Sequence, residues 1–182
     1  TICRADVLTD AVEADAERLL GVADASAVLR GTARQPELTL KVTVNDRLAD
    51  PWGMGIGFAT QMVFIFIDKD GAAGKGHTKS LPGLNVEFAP ESAWDKVIIL
   101  SPQPQSRVAA EVKAKAADLS ADIVIPRRTV GSSKTISAKV KLDELGGGDP
   151  SKWGYQVVVQ SNEGFPDKSD LLSRKVNEFE GQ

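Results

Sequence analysis

Carboxylates on closely spaced turns are the first residues whose types and spacing suggest chemistry. Asp68 and Asp70 follow an apolar run, and Asp46 and Asp50 precede Trp52. Acidic groups on neighbouring loops supply the hard oxygen ligands that calcium takes, so these four form a candidate metal set; a solvated hairpin turn is the plainer use of the same residues. An EF-hand is excluded. Counting from Asp68, the sixth position is Ala73 rather than Gly and the twelfth is Lys79 rather than Glu. The stretch 71–80 (GAAGKGHTKS) has the flavour of a phosphate loop, but Gly76 stands where Ser or Thr must follow the lysine, and Pro82 soon bars a helix. A flexible basic turn fits it better. The single histidine, His77, lies in that turn, and neither a GxSxG nor an HExxH pattern occurs. Paired carboxylates can cleave glycosides without histidine, yet no nucleophile, base and orienting group can be named together. No catalytic residue is assigned, and the chain reads as a non-enzyme. Three tryptophans remain: Trp52 after Asp-Pro, Trp94 in Ser-Ala-Trp-Asp, and Trp153 after Asp-Pro-Ser-Lys. Such indoles either stack sugar rings or close a β-structure with the N–H on a loop carbonyl.

The elements that must position these residues follow from composition and period. A chain of 182 residues has room for one good core or two small ones. Its 22 basic and 25 acidic residues give a net charge of −3, which argues against a nucleic-acid partner. Hydrophobic residues make up 42% and the mean hydropathy is −0.15, so the chain is neither disordered nor built to cross a bilayer. The longest apolar run, 62–67, has strand length. Cys3 alone closes no internal disulfide, and no Cys/His cluster suits zinc. The start at Thr1, without Met, suits a chain from which a signal peptide has been removed.

Residues 1–34 are rich in Ala and acidic side chains. Asp10-Ala11-Val12-Glu13 reads as a capping box, with Val12, Ala16, Leu19 and Leu20 on one side of a helix. From residue 37 the period changes to two: Leu38, Leu40, Val42 and Val44 alternate with Thr39, Lys41 and Thr43. Further strands are expected at 62–67, 86–88, 96–100, 107–113, 123–125, 134–140 and 155–160, between Pro- and Gly-bearing turns. The fold expected is mainly β, an antiparallel β-sandwich over 35–165 with a partly helical N-terminal extension over 1–34. In the tail, 166–182, Leu172, Val176 and Phe179 recur at helical intervals.

Several ordered motifs carry a family likeness. Asp50-Pro51-Trp52-Gly53 is followed by Gly57-Phe58 and Gln61, then by Ile67-Asp68-Lys69-Asp70-Gly71 and Leu81-Pro82-Gly83-Leu84-Asn85. Ala89-Pro90-Glu91-Ser92-Ala93-Trp94-Asp95 and Trp153-Gly154-Tyr155-Gln156-Val157 complete the series. Their order resembles the C-terminal domain of glucodextranase, similar in fold to family 9 carbohydrate-binding modules and DOMON-type domains. The resemblance covers about residues 37–165. It implies a β-sandwich on an extracellular, periplasmic or cell-surface protein that binds carbohydrate or the cell surface, or serves as a structural subunit of an envelope assembly. Carbohydrate or protein partners are then expected, without nucleic acid and without a membrane span in this chain. Trp52, Trp94 and Trp153 become its candidate carbohydrate-binding residues, and the fold's relatives often hold structural calcium. The sequence departs from the family where Ser101-Pro102-Gln103-Pro104-Gln105 replaces an aromatic-Gly turn. Aromatic residues are only 5%, which counts against a sugar platform.

The DOMON likeness also opens an alternative: a haem b-binding electron-transfer subunit of a respiratory or redox complex. Met54, Met62 and His77 are the candidate ligands. Met62 lies in the apolar run, where Met commonly fills core volume, whereas Met54 sits in a Gly-rich loop.

Overall fold

The computed structural model describes residues 5–6, 22–32, 35–72 and 74–161. Two sheets form. The first contains β1 (Ala5–Asp6), β2 (Val22–Thr32), β3 (Gln35–Val44), β7 (Thr129–Ser132) and β8 (Thr135–Lys141), in the spatial order β1-β2-β3-β8-β7. The second contains β4 (Gln61–Asp68), β5 (Lys96–Leu100), β6 (Ile123–Val124) and β9 (Gly154–Ser161), in the order β6-β5-β4-β9. Every pairing is antiparallel except β5 with β6, a parallel pair that the sequence reading did not anticipate.

Alternation decides which face of the first sheet is buried. Leu38, Leu40, Val42 and Val44 of β3 and Ile136, Ala138 and Val140 of β8 point inward. They meet Val63, Ile65 and Ile67 of β4 and Ile98 and Leu100 of β5 in one core, which makes the pair of sheets a sandwich. The continuous apolar run of β4 has a different cause. Residues 62–67 are all buried because the second sheet is covered on both faces. Its outer face, with Met62, Phe64, Phe66 and Ile99, packs under α1 (Gln105–Lys115) and the segment 74–94 in a second core.

The helix replaces the strand expected at 107–113. Val108 and Val112, its buried residues, lie four apart, and the Ala, Glu and Lys between and around them are good helix formers. The strand expected at 86–88 reduces to one bridge, Lys79 with Glu87, inside the segment that straps the second core. Three strands are not among those expected: β7, and β1 and β2, which lie within the stretch assigned to an extension. β2 pairs along its length with β3. The expected helix over 10–20 and the helical spacing of the tail lie outside the described residues.

Two glycines fix how the loops cover the sandwich. Gly57 (φ +88) lies so close to β7 that a Cβ would fall 2.2 Å from the Gly131 carbonyl oxygen. Gly76 (φ +82) passes the Trp94 carbonyl, where a Cβ would sit at 2.8 Å. Among the described residues, no helix is long and apolar enough to cross a membrane.

Candidate functional site

The acidic turn is built where β4 ends. The Asp68 carboxylate accepts the backbone N–H of Gly71 (2.8 Å) and of Asp70 (3.2 Å), and Asp70 accepts that of Ala72 (2.9 Å). Asp95, just before β5, accepts the N–H of Lys69 at 2.8 Å. One carboxylate oxygen from each of Asp68, Asp70 and Asp95 lies within 4.8 Å of the others. Asp95 was not singled out in the sequence; its place follows from the antiparallel pairing of β4 with β5. Asp46 and Asp50 do not join this group. Asp50 accepts the N–H groups of Met54 (2.7 Å) and Gly55 (2.9 Å), and so shapes the loop that carries Trp52, while Asp46 accepts that of Arg47. The expected four-carboxylate set is therefore split between two turns that are each organised locally.

The tryptophans do not form one surface. Trp94 is 1% exposed; its indole N–H donates to the Lys79 carbonyl (3.0 Å), and its ring meets Phe66 edge-on at 5.2 Å. Trp153 is buried in the core between the sheets, with the Lys69 ammonium 5.3 Å from its ring centre. Trp52 alone is half-buried. Two of the three indoles thus offer no open face to a sugar.

The haem set is not assembled either. Met62 is fully buried in the second core. The His77 imidazole stacks on Trp94 with ring centres 4.5 Å apart, and its Nε2 lies 3.0 Å from Asp122. Asp122 also receives the Lys96 ammonium at 2.9 Å, at the first residue of β5. Burial pushes the Asp122 carboxyl up, but the hydrogen bonds and charges of Lys96 and His77 outweigh it and hold the group below the ordinary carboxylate range. Met54 instead lines a cavity with Ile99 and Ser101, at the far end of β5. Four strand steps separate the two ends, about 13 Å. Met54 and His77 cannot face each other across one iron.

A concave surface rich in charge lies elsewhere, around the loop between β6 and β7. Pro126 and Thr129 are buried, and Gln105 of α1 donates to the Ile125 carbonyl at 2.7 Å, so the intervening Arg127 and Arg128 project from a fixed base. Both arginines are exposed, and both line two adjoining cavities. The first, about 190 Å³, opens between Met54, Pro104, Gln105 and Thr129 at the N-terminus of α1. The second, about 500 Å³, lies over the outer face of the first sheet. The register that sets Glu37 opposite Lys141 and Thr39 opposite Lys139 supplies its floor. Lys139 stands 4.0 Å from Glu37, whereas neither arginine has an ion pair among the described residues. The Thr39 hydroxyl, buried beneath this face, has no hydrogen-bond partner among the described residues. Among the described residues, no aromatic side chain lines either cavity. The adjacent arginines after Pro126 were visible in the sequence, but the lysines they join are supplied by β8, and nothing local announces that meeting.

Comparison with known families gives a match over residues 28–182 to the model described as the SLH-like C-terminal binding module of glucodextranase. The match begins inside β2. No curated protein matches the chain.

Proposed function

We propose, from the premise that this chain belongs to the family of SLH-like C-terminal binding modules of glucodextranase, that it is a non-catalytic module binding carbohydrate at the Arg127–Arg128 groove. The observation that carries the reading is the pair of adjoining cavities sharing these two arginines. A saccharide presents hydroxyls and ring oxygens, and the groove offers guanidinium, ammonium, hydroxyl and carboxylate groups to them. Recognition here proceeds by hydrogen bonds rather than by stacking, since the lining holds no aromatic ring. Such a module works on an extracellular or cell-surface protein. Affinity electrophoresis in gels containing soluble polysaccharides tests the proposal. Retardation of the chain that is lost in the Arg127→Ala/Arg128→Ala variant supports it; unchanged mobility in every polysaccharide overturns it.

A structural calcium belongs to the same proposal, at Asp68, Asp70 and Asp95. Their carboxylates are hard oxygen donors of the kind calcium takes, and each has one oxygen tied to a backbone N–H and a second oxygen to offer. Calcium takes six to eight oxygens, about twice what these side chains supply, so carbonyls and water complete the shell. The ion would tie the end of β4 to the start of β5.

A further inference from the structure

We infer that the Arg127–Arg128 groove selects acidic over neutral glycans, with the cavity at the N-terminus of α1 as the seat of the anionic group. The inference rests on the binding-module reading and adds the class of ligand.

Charge is the first support. The second cavity gathers Arg127, Arg128, Lys139 and Lys141 against Glu37 and Glu144, an excess of cations on a chain whose net charge is −3. Lys139 is partly answered by Glu37, but the guanidiniums are left for a ligand. Arginine binds carboxylate or phosphate oxygens through parallel N–H bonds, and such charge-assisted bonds are about twice as strong as neutral ones.

The first cavity supplies donors of a second kind. α1 spans eleven residues and has no side-chain cap; the Pro104 carbonyl serves the N–H groups of Arg107 and Val108. The N–H of Gln105, the first-turn residue that lines the cavity, precedes any intrahelical partner and lies at the positive end of the helix dipole. An independent observation points into the same space. Thr129 is 7% exposed and lines the cavity, and its hydroxyl makes no hydrogen bond among the described residues. The hydroxyl opens to the cavity rather than being sealed off, so it is available to bond a ligand oxygen there. At about 190 Å³ this cavity is too small for an oligosaccharide and suits one anionic group, while the adjoining 500 Å³ is in the range of ligand pockets.

Affinity electrophoresis with polygalacturonate, dextran and polyphosphate tests the assignment. Polygalacturonate should retard the chain at lower concentration than dextran, and the Arg127→Gln/Arg128→Gln variant should lose about 10-fold in affinity for it. Retardation by dextran should fall less in that variant, because the amides still hydrogen-bond sugar hydroxyls although the charge is gone. Lys41→Gln removes one positive charge from the same sheet face outside both cavities and should leave all three polymers unaffected. Equal retardation by dextran and polygalacturonate overturns the acidic selection and leaves the binding module standing. Polyphosphate binding as well as polygalacturonate overturns the glycan assignment in favour of a general polyanion. Failure of every polymer removes the module reading itself, and this inference with it. A loss in Lys41→Gln equal to that of the arginine variant shows the bulk field at work and refutes the seat.

Discussion

Replacing Trp94 by Ala separates a structural indole from a sugar platform. The side chain is 1% exposed, touches Phe66 and His77, and donates its N–H to the Lys79 carbonyl. An indole buries about 150–250 Å², which at about 25 cal/mol per Å² corresponds to about 4–6 kcal/mol of transfer free energy. Aromatic-to-Ala changes in cores cost about 3–5 kcal/mol, and the net hydrogen bond lies within that range, so the expected loss is about 4 kcal/mol. For a chain of this size that lowers Tm by about 8–16 °C. Trp52→Ala, at a half-buried turn, should cost under about 1 kcal/mol. Urea unfolding followed by far-UV circular dichroism measures both, and binding to polysaccharide below the transition should survive Trp94→Ala. A loss under 1 kcal/mol for Trp94→Ala, or loss of polysaccharide binding by the still-folded variant, would refute the packing argument.

Gly76→Ala should destabilise the strap by about 1–3 kcal/mol, because the added Cβ meets the Trp94 carbonyl oxygen and φ is positive; thermal denaturation reads the effect. The protein contains one tyrosine, Tyr155, whose hydroxyl donates to the Pro150 carbonyl at 2.9 Å. Burial, with the Asp149 charge, holds its phenol protonated well above the ordinary range. The native chain should therefore show no phenolate absorbance near pH 10, and this group's contribution to stability should decline as pH rises above about 10, since only the unfolded state releases the proton there. Asp122 has the opposite sign. Its pKa is lowered in the folded state, so its stabilising contribution is present at neutral pH and is lost as pH falls below about 4; Asp122→Asn should flatten that limb of the stability profile. Calcium should raise Tm relative to chelator-treated protein, and Asp95→Asn should abolish the difference; an equal shift in the variant places the ion elsewhere.

Local period made much of this sandwich legible in the sequence. The alternation in β3 and the unbroken apolar run in β4 are properties of a few consecutive residues, and each corresponds to the number of faces its sheet has covered. Where two local patterns compete, period alone does not decide between strand and helix. Residues 107–113 contain two valines four apart among helix formers, and the fold uses the helical pattern because those valines cap the second core. β2 escaped notice because small and polar residues (Ala25, Ser26, Ala27) fill it, and its partner β3 decides its conformation. The motif series itself was sufficient to point to the family, and the low aromatic content already argued against a stacking surface. Tertiary structure alone decided the rest. It buried Trp94 and Trp153, separated Asp46 and Asp50 from the acidic turn, and added Asp95 to it. It also brought Arg127 and Arg128 over Lys139, Lys141 and the start of α1, groups that meet only because β8 lies between β3 and β7. Strand order is set by which faces must be buried together, and a binding surface assembled across strands inherits that non-local origin.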